Sequence, residues 1–353
     1  MSENLKKTAL YEEHKKLGAK MVEFYGWQMP LAYKGILEEH KAVRERAGIF
    51  DVSHMGIIDI QGEHALEFVQ ILTVNDASVL KLFQSQYTMI LDNDGKILDD
   101  MILTKYPNEY RFVVNCSNYN KILSWMIFQK KENGFKVQIN PKENISILAL
   151  QGPQSREILS AVAGEDFVMG NFFTRKSVLL GKDVYISHTG YTGEDGYEIF
   201  VENEEAVELW TALIAKGAMP IGLGARDTLR IEAGLPLYGH EIYEGITPYD
   251  LGYGWIVKFN KPKFNGKSFL EEHSQKRKLY GLILNEKVIP RPGTELNSYG
   301  LITSGTYSPT LKKGIALIIS EKEVVRGEKI SLTIRNKIYD AELTKLPFLQ
   351  KGC

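Results

Sequence analysis

Residues 86–106 read QYTMILDNDGKILDDMILTKY. Two aliphatic and β-branched runs flank Asp94-Gly95, a pair that reverses a chain readily because both residue types tolerate positive φ, so the stretch predicts a β-hairpin. A turn this short leaves no room for a helical crossover, which argues for an antiparallel α+β fold and against a doubly wound parallel sheet. The second run also poses a chemical question. Asp99 and Asp100 stand between Leu98 and Met101, and an ionised carboxylate buried without partners is costly. Strand neighbours point to opposite faces, so only one of the two aspartates can line a given pocket.

Outward from the hairpin the pattern stays mixed. The N-terminal MSENLKKTALYEEHKKLGAKM reads as a helix, followed by the short aromatic pieces of MVEFYGWQMPLAYKG. ILEEHKAVRERAG reads as a helix with Gly48 as its C-terminal stop, and IFDVSHMGIIDIQG opens a strand. EHALEFVQIL is a further helix, YRFVVNC a strand, SNYNKILSWMIFQKKENG a helix ending at Gly134, and ISILALQGPQSREILSAV a strand then a helix with Pro153 in its first turn. FLEEHSQKRK is a solvated helix and linker. From RKLYGLILNEK onward helical periodicity gives way to short alternating strands separated by IPRPG, TSGTYSPT and VVRGEK, the pattern of a small all-β barrel or sandwich.

Composition narrows the partners. The 353 residues carry 43 Lys+Arg against 44 Asp+Glu, a formal net charge of −1, with the signs interspersed, so no broad field exists to hold nucleic acid or an acidic membrane. A small molecule or a protein is expected instead. Cys116 and Cys353 belong to no CxxC pair, which fits a reducing compartment, with Cys116 expected as a small buried hydrophobe. No stretch reads as a signal peptide and none reaches the roughly 18 apolar residues of a membrane span. The expected setting is cytoplasmic. The seven histidines form no ligand-spaced pair, so no metal is expected.

Two glycine-rich stretches are candidates for ligand contact. In PIGLGARDTLRIEAG, Arg226 stands beside Gly222 and Gly224 at a helix start, where unsatisfied N–H groups and a guanidinium suit an anionic ligand, the alternative being an arginine in a structural ion pair. Asp227 occupies the last position of a would-be GxGxxG, against a dinucleotide site. In SHTGYTGEDGYEIF, glycines 190, 193 and 196 imply a tight loop before a strand that carries Glu198. Period-2 alternation puts Glu198 and Phe200 on one face and Tyr197, Ile199 and Val201 on the other.

Read in order, EFYGWQMPL, FDVSHMG, LTVND, QYTMIL, GKILDDMIL, VVNCSN, LALQGP, GYTGEDGYEI, GLGARDTLRIEAGLPLYGHE and TSGTYSPTL resemble the signature blocks of the aminomethyltransferase family, the T-protein of the glycine cleavage system. The resemblance covers nearly the whole chain. It implies an α+β, multi-domain cloverleaf around a central channel, with antiparallel sheets, flanking helices and a C-terminal all-β barrel-like domain. The implied domains are residues 1–52 with 152–245 as a discontinuous folate-binding domain, 53–151 as a second α+β domain, 246–275 as a linker and helical segment, and 276–353 as the C-terminal β domain.

The resemblance further implies tetrahydrofolate as the one-carbon acceptor and the lipoylated H-protein as partner. It implies Asp100 near the folate N10 as the catalytic residue, with Glu198 and Arg226 holding the folate. Glu198 can accept a pair of N–H groups from the pterin, and Tyr87 and Tyr191 can pack on its flat surface. Met55 and Asn115 fall in matching blocks. Two alternatives share the folate residues: a demethylase of the same superfamily with a different donor pocket, and a non-enzymatic folate-binding protein of iron–sulfur assembly. The latter's KGCYxGQE-type motif is represented only by the terminal KGC, without GQE. After KLPF the chain continues only with LQKGC, which leaves Lys351 as the basic residue of the tail.

Overall fold

In the computed structural model the hairpin forms between strands Ser85–Leu91 and Ile97–Lys105. Its reversal is held by Asp92, whose Oδ1 accepts the N–H groups of Asp94 at 2.9 Å and Lys96 at 2.8 Å. Gly95 turns the chain at φ +70°, and a Cβ there would come within 2.7 Å of the Phe269 ring. Burial alternates along the second strand as the sequence requires: Ile97, Asp99 and Met101 are buried, Leu98 and Asp100 only partly.

The structure describes residues 5–274 and 277–349; Lys351 and Cys353 lie outside them. It falls into two units, one of residues 1–65, 79–86 and 101–227, the other of residues 66–78, 87–100 and 228–353. The hairpin strands are therefore divided, residues 87–100 belonging to the second unit. They open a five-stranded sheet that continues through Glu109–Val114, Gly56–Gln61 and Gln138–Lys142.

The first unit is built on a six-stranded sheet in the order Thr174–Leu179, Lys182–Ser187, Gly196–Glu202, Ile145–Gln151, Gly48–Asp51, Met219–Ile221. All neighbours are antiparallel except the last pair. Its core gathers Tyr197, Ile199 and Val201, the strand face opposite Glu198, with Leu148, Leu150 and the helix residues Leu209, Trp210 and Leu213. Burying side chains of this size stabilises by about 1.5–3 kcal/mol each.

In the second unit, five antiparallel strands run in the order Leu301–Ser308, Lys313–Ser320, Lys278–Leu284, Lys337–Thr344, Lys329–Ile334. The sheet is covered on both faces, which explains the unbroken apolar run GIALII. Ile315, Leu317 and Ile319 pack with Ile231, Ile242 and Leu251, whereas Ala316 and Ile318 pack with Leu282, Leu332 and Leu343.

Three local expectations change. The N-terminal helix is only Tyr11–Lys16; Lys6–Lys7, Lys20–Phe24 and Trp27–Ala32 instead form a three-stranded sheet. The reason is tertiary, because Thr8 and His14 are both drawn to a buried Asp51. Gly48 is not a helix stop. The helix Ile36–Glu45 ends earlier, and Gly48 opens a strand where a Cβ would lie 2.4 Å from Ile221 and 2.6 Å from Val43. Cys116, expected inside, is partly exposed in a short 3-10 turn, Cys116–Asn118.

Candidate functional site

The glycine loop before Glu198 is organised by Gln151, which is 1 % exposed. Its Nε2 donates to the Thr189 carbonyl at 3.1 Å, and its Oε1 accepts the Thr192 hydroxyl at 2.9 Å. Gly190 and Gly196 are glycines for lack of room: a Cβ would lie 2.0 Å and 2.5 Å, respectively, from the Gln151 amide. Gly193 is a glycine for conformation, at φ +82°. Arg44 closes the far side, donating to the Thr192 carbonyl and to Glu194, both at 2.8 Å. The loop thus delivers Thr189 to Glu198, whose carboxylate accepts the Thr189 hydroxyl at 2.5 Å.

Arg226 lies in the helix Leu223–Glu232. The helix start is not the open anion site that its glycines suggest. Gly222 donates its N–H to Glu39 Oε2 at 2.8 Å, and the other Glu39 oxygen accepts the N–H groups of Tyr33, Lys34 and Gly35 at 2.7–3.0 Å. The protein's own buried carboxylate therefore occupies the position that a ligand anion would take. Gly222 is required by the close approach of the Leu31 carbonyl oxygen, which would lie 2.3 Å from any Cβ at this position.

The Arg226 guanidinium itself is available. Among the described residues it forms no ion pair or hydrogen bond, and it lies over the Tyr191 ring at 4.8 Å. Burial pulls its pKa below the ordinary value, against the opposing influence of Tyr191, Glu198 and Cys116. An arginine stays protonated regardless, so a partly buried cation, a strand carboxylate and an aromatic face are brought together in the first unit.

His54 joins this group, a residue that sequence reading left out although it stands beside Met55. It is 5 % exposed, its Nδ1 is buried without a hydrogen-bond partner among the described residues, and its ring meets Phe24 edge-on at 5.6 Å. Burial, then the charge of Arg226, lower its pKa to about 4, with Asp51 acting in the other direction. Met55 and Asn115, also in the first unit, are partly buried, and Asn115 leads into the turn that carries Cys116.

Asp100 and Tyr87 belong to the second unit. The Tyr87 hydroxyl donates to Asp100 Oδ2 at 3.0 Å, and the Tyr87 ring meets Tyr253 edge-on at 6.0 Å. Burial raises the Tyr253 pKa, and the Asp100 charge raises it further. The Tyr238 pKa is raised as well, by burial first, then by Asp99, Glu244 and Asp100. Asp100 therefore stands among three tyrosines, of which the sequence pointed to Tyr87 alone. Asp99 is fully buried. An open cavity of about 710 Å³ in this unit, lined by His240, Tyr243, Arg277 and Thr303 among others, includes none of the seven candidate residues.

Among the described residues no group of three or more His, Cys, Asp or Glu side chains is arranged to hold a metal ion, and no helix is long and apolar enough to cross a membrane.

Residues 10–261 match the profile of the GCVT N-terminal domain, and residues 277–350 that of the glycine cleavage T-protein C-terminal barrel domain. The aminomethyltransferase of Caldanaerobacter subterraneus subsp. tengcongensis is 44% identical over 99% of this chain and 97% of its own, and that of Halothermothrix orenii 42% identical over 98% and 100%. The crystal structure of the glycine cleavage system aminomethyltransferase T from Bartonella henselae superposes with a TM-score of 0.90 at 34% identity, covering 98% of both chains. The chain belongs to the aminomethyltransferase family, the T-proteins of the glycine cleavage system.

Proposed function

We propose that the chain transfers the methylene of an aminomethyl group, carried on the lipoyl arm of an H-protein, to tetrahydrofolate in the cytoplasm, releasing ammonia, leaving the arm as the dihydrolipoyl thiol and forming 5,10-methylenetetrahydrofolate. Family membership supports the reaction. The observation that supports the assignment of the folate to these residues is the Arg226 guanidinium, which lies over the Tyr191 face, feels the Glu198 charge and has no ion pair or hydrogen bond among the described residues. A partly buried cation without an ion pair is unfavourable by itself and is relieved by a ligand with acceptor atoms. Glu198 supplies the complementary acceptor for the pterin N–H groups, and Met55 and Asn115 complete the contact on the same unit.

Asp100 has the chemical role. The transferred carbon becomes bonded to N5 and N10 of the folate, and N10 loses its proton as the ring closes. A carboxylate held in hydrogen-bond reach orients that N–H and stabilises positive charge developing on the pterin side, an effect of about 10² to 10⁴ in rate. Tyr87 fixes the carboxylate through its hydroxyl. The H-protein delivers the donor at high effective concentration, so free aminomethylated lipoamide is a much poorer substrate.

Turnover with aminomethylated H-protein and saturating tetrahydrofolate tests the assignment. Asp100→Asn lowers kcat by at least about a hundredfold while tetrahydrofolate still binds, whereas Asp99→Asn acts mainly on the melting temperature. Equal turnover of Asp100→Asn and the parent would sink the catalytic role.

A further inference from the structure

His54 is held in place from both sides in sequence. Ser53 donates its N–H to Asp51 Oδ1 at 2.9 Å and its Oγ accepts the Ile147 N–H at 3.0 Å, while the Met55 N–H reaches the Val52 carbonyl at 3.0 Å. The ring is therefore presented by a fixed backbone. Its Nδ1 is sealed in the interior with no partner among the described residues, and Nε2, which is not among the sealed atoms, has no hydrogen bond to any described residue.

The charged groups acting on the ring are Arg226 and Asp51, and burial with Arg226 outweighs Asp51, so the imidazole is neutral near pH 7. A neutral ring carries one proton on one nitrogen. A buried N–H without an acceptor is rarer and more costly than a buried lone pair without a donor. The proton accordingly resides on Nε2, and Nδ1 is the bare nitrogen.

We infer that His54 is a further ligand-binding residue, a permanent uncharged Nε2–H donor that takes an acceptor atom of the bound heterocycle, a carbonyl oxygen or a ring nitrogen, beside Arg226. This rests on the reading of the Glu198 and Arg226 region as the folate site. Glu198 there accepts an N–H, and Arg226 with His54 donates. An acceptor set against two donors matches the N–H/C=O edge of a lactam, which a pterin carries. A second cation next to Arg226 would add repulsion in a poorly solvated place, whereas a neutral donor adds selectivity without charge.

Tetrahydrofolate titration by calorimetry of the full chain, with imidazole ¹⁵N NMR, decides the matter. His54→Gln, which keeps an N–H near the Nε2 position, retains affinity within about threefold, and His54→Phe, which keeps the ring shape without a donor, loses about tenfold or more. In the parent the ¹⁵N shifts report the Nε2–H tautomer with no protonation between about pH 5.5 and 8, and the Nε2 signal moves when tetrahydrofolate binds. An Nδ1–H tautomer, protonation near pH 6.5, or an Nε2 signal indifferent to bound tetrahydrofolate overturns the inference. So does His54→Phe binding as tightly as the parent. Should His54→Phe not fold, the NMR of the parent decides alone. Failure of the parent to bind tetrahydrofolate at millimolar concentration overturns the folate reading itself, a result distinct from binding that is merely insensitive to His54.

Discussion

Two groups of buried polar side chains lie close in sequence in the first unit and are treated in opposite ways. Around Asp51 every donor is matched: Oδ2 accepts the Thr8 hydroxyl at 2.6 Å and His14 Nε2 at 2.9 Å, Oδ1 accepts the Ser53 N–H, and the Tyr33 hydroxyl meets His14 Nδ1 at 2.8 Å. Burial opposes ionisation of Asp51, but the hydrogen bond and charge of His14, with Ser53 and Thr8, hold its pKa below the ordinary carboxylate value. Three residues further on, His54 has a bare buried nitrogen, and its neighbour Arg226 has no ion pair among the described residues. A buried polar group whose partners are all present carries little penalty, whereas one without a partner is unfavourable and is relieved by a ligand that supplies it.

Breaking the satisfied group has the largest effect. Asp51→Ala leaves His14, Thr8 and the Ser53 N–H without their acceptor, and equilibrium urea unfolding registers a loss of about 3–5 kcal/mol. A loss below about 1 kcal/mol would mean that the network is solvated or rearranges, and the contrast with His54 would collapse.

The unmatched group shows itself in the pH dependence of stability. The pKa of His54 is lowered in the fold to about 4 from 6.5, so the unfolded chain binds the proton that the folded ring refuses. Its contribution to stability is complete above about pH 6.5 and is lost progressively as pH falls toward 4, by up to about 3 kcal/mol. Parent and His54→Gln, unfolded in urea across that range, should diverge accordingly; parallel profiles would place His54 in ordinary solvent.

The smallest expected change in stability accompanies Arg226 and Glu198. Arg226→Met and Glu198→Gln each shift the unfolding free energy by less than about 0.5 kcal/mol, because neither removes an ion pair, yet each weakens tetrahydrofolate about tenfold. Destabilisation of Arg226→Met by several kcal/mol would assign that arginine to the scaffold instead.

What was legible in the sequence was local or came from the ten signature blocks. The hairpin at 86–106, the opposite faces of Asp99 and Asp100, and the partial exposure of Glu198 opposite Tyr197 and Ile199 all follow from a side-chain period of two, which needs only neighbouring residues. The C-terminal β region was visible as short alternating strands separated by turns, although not that its sheet would be covered on both faces.

Tertiary structure alone decided the rest, because the deciding partners are remote in the chain. Glu39 reaches the Gly222 N–H across 183 positions and turns a helix start that looked like an anion site into scaffold. His14 reaches Asp51 across 37 positions and cuts short the N-terminal helix that its periodicity suggested. Gly48 looked like a helix cap and is in fact demanded by Ile221, a residue of the neighbouring parallel strand. The chain alone was enough to read the period of most elements, the N-terminal stretch excepted, together with the family and the residue types offered for chemistry. Which of those polar groups would be matched inside the protein, and which would not, depended on distances that only the folded chain defines, since desolvation and hydrogen bonding act over a few ångströms.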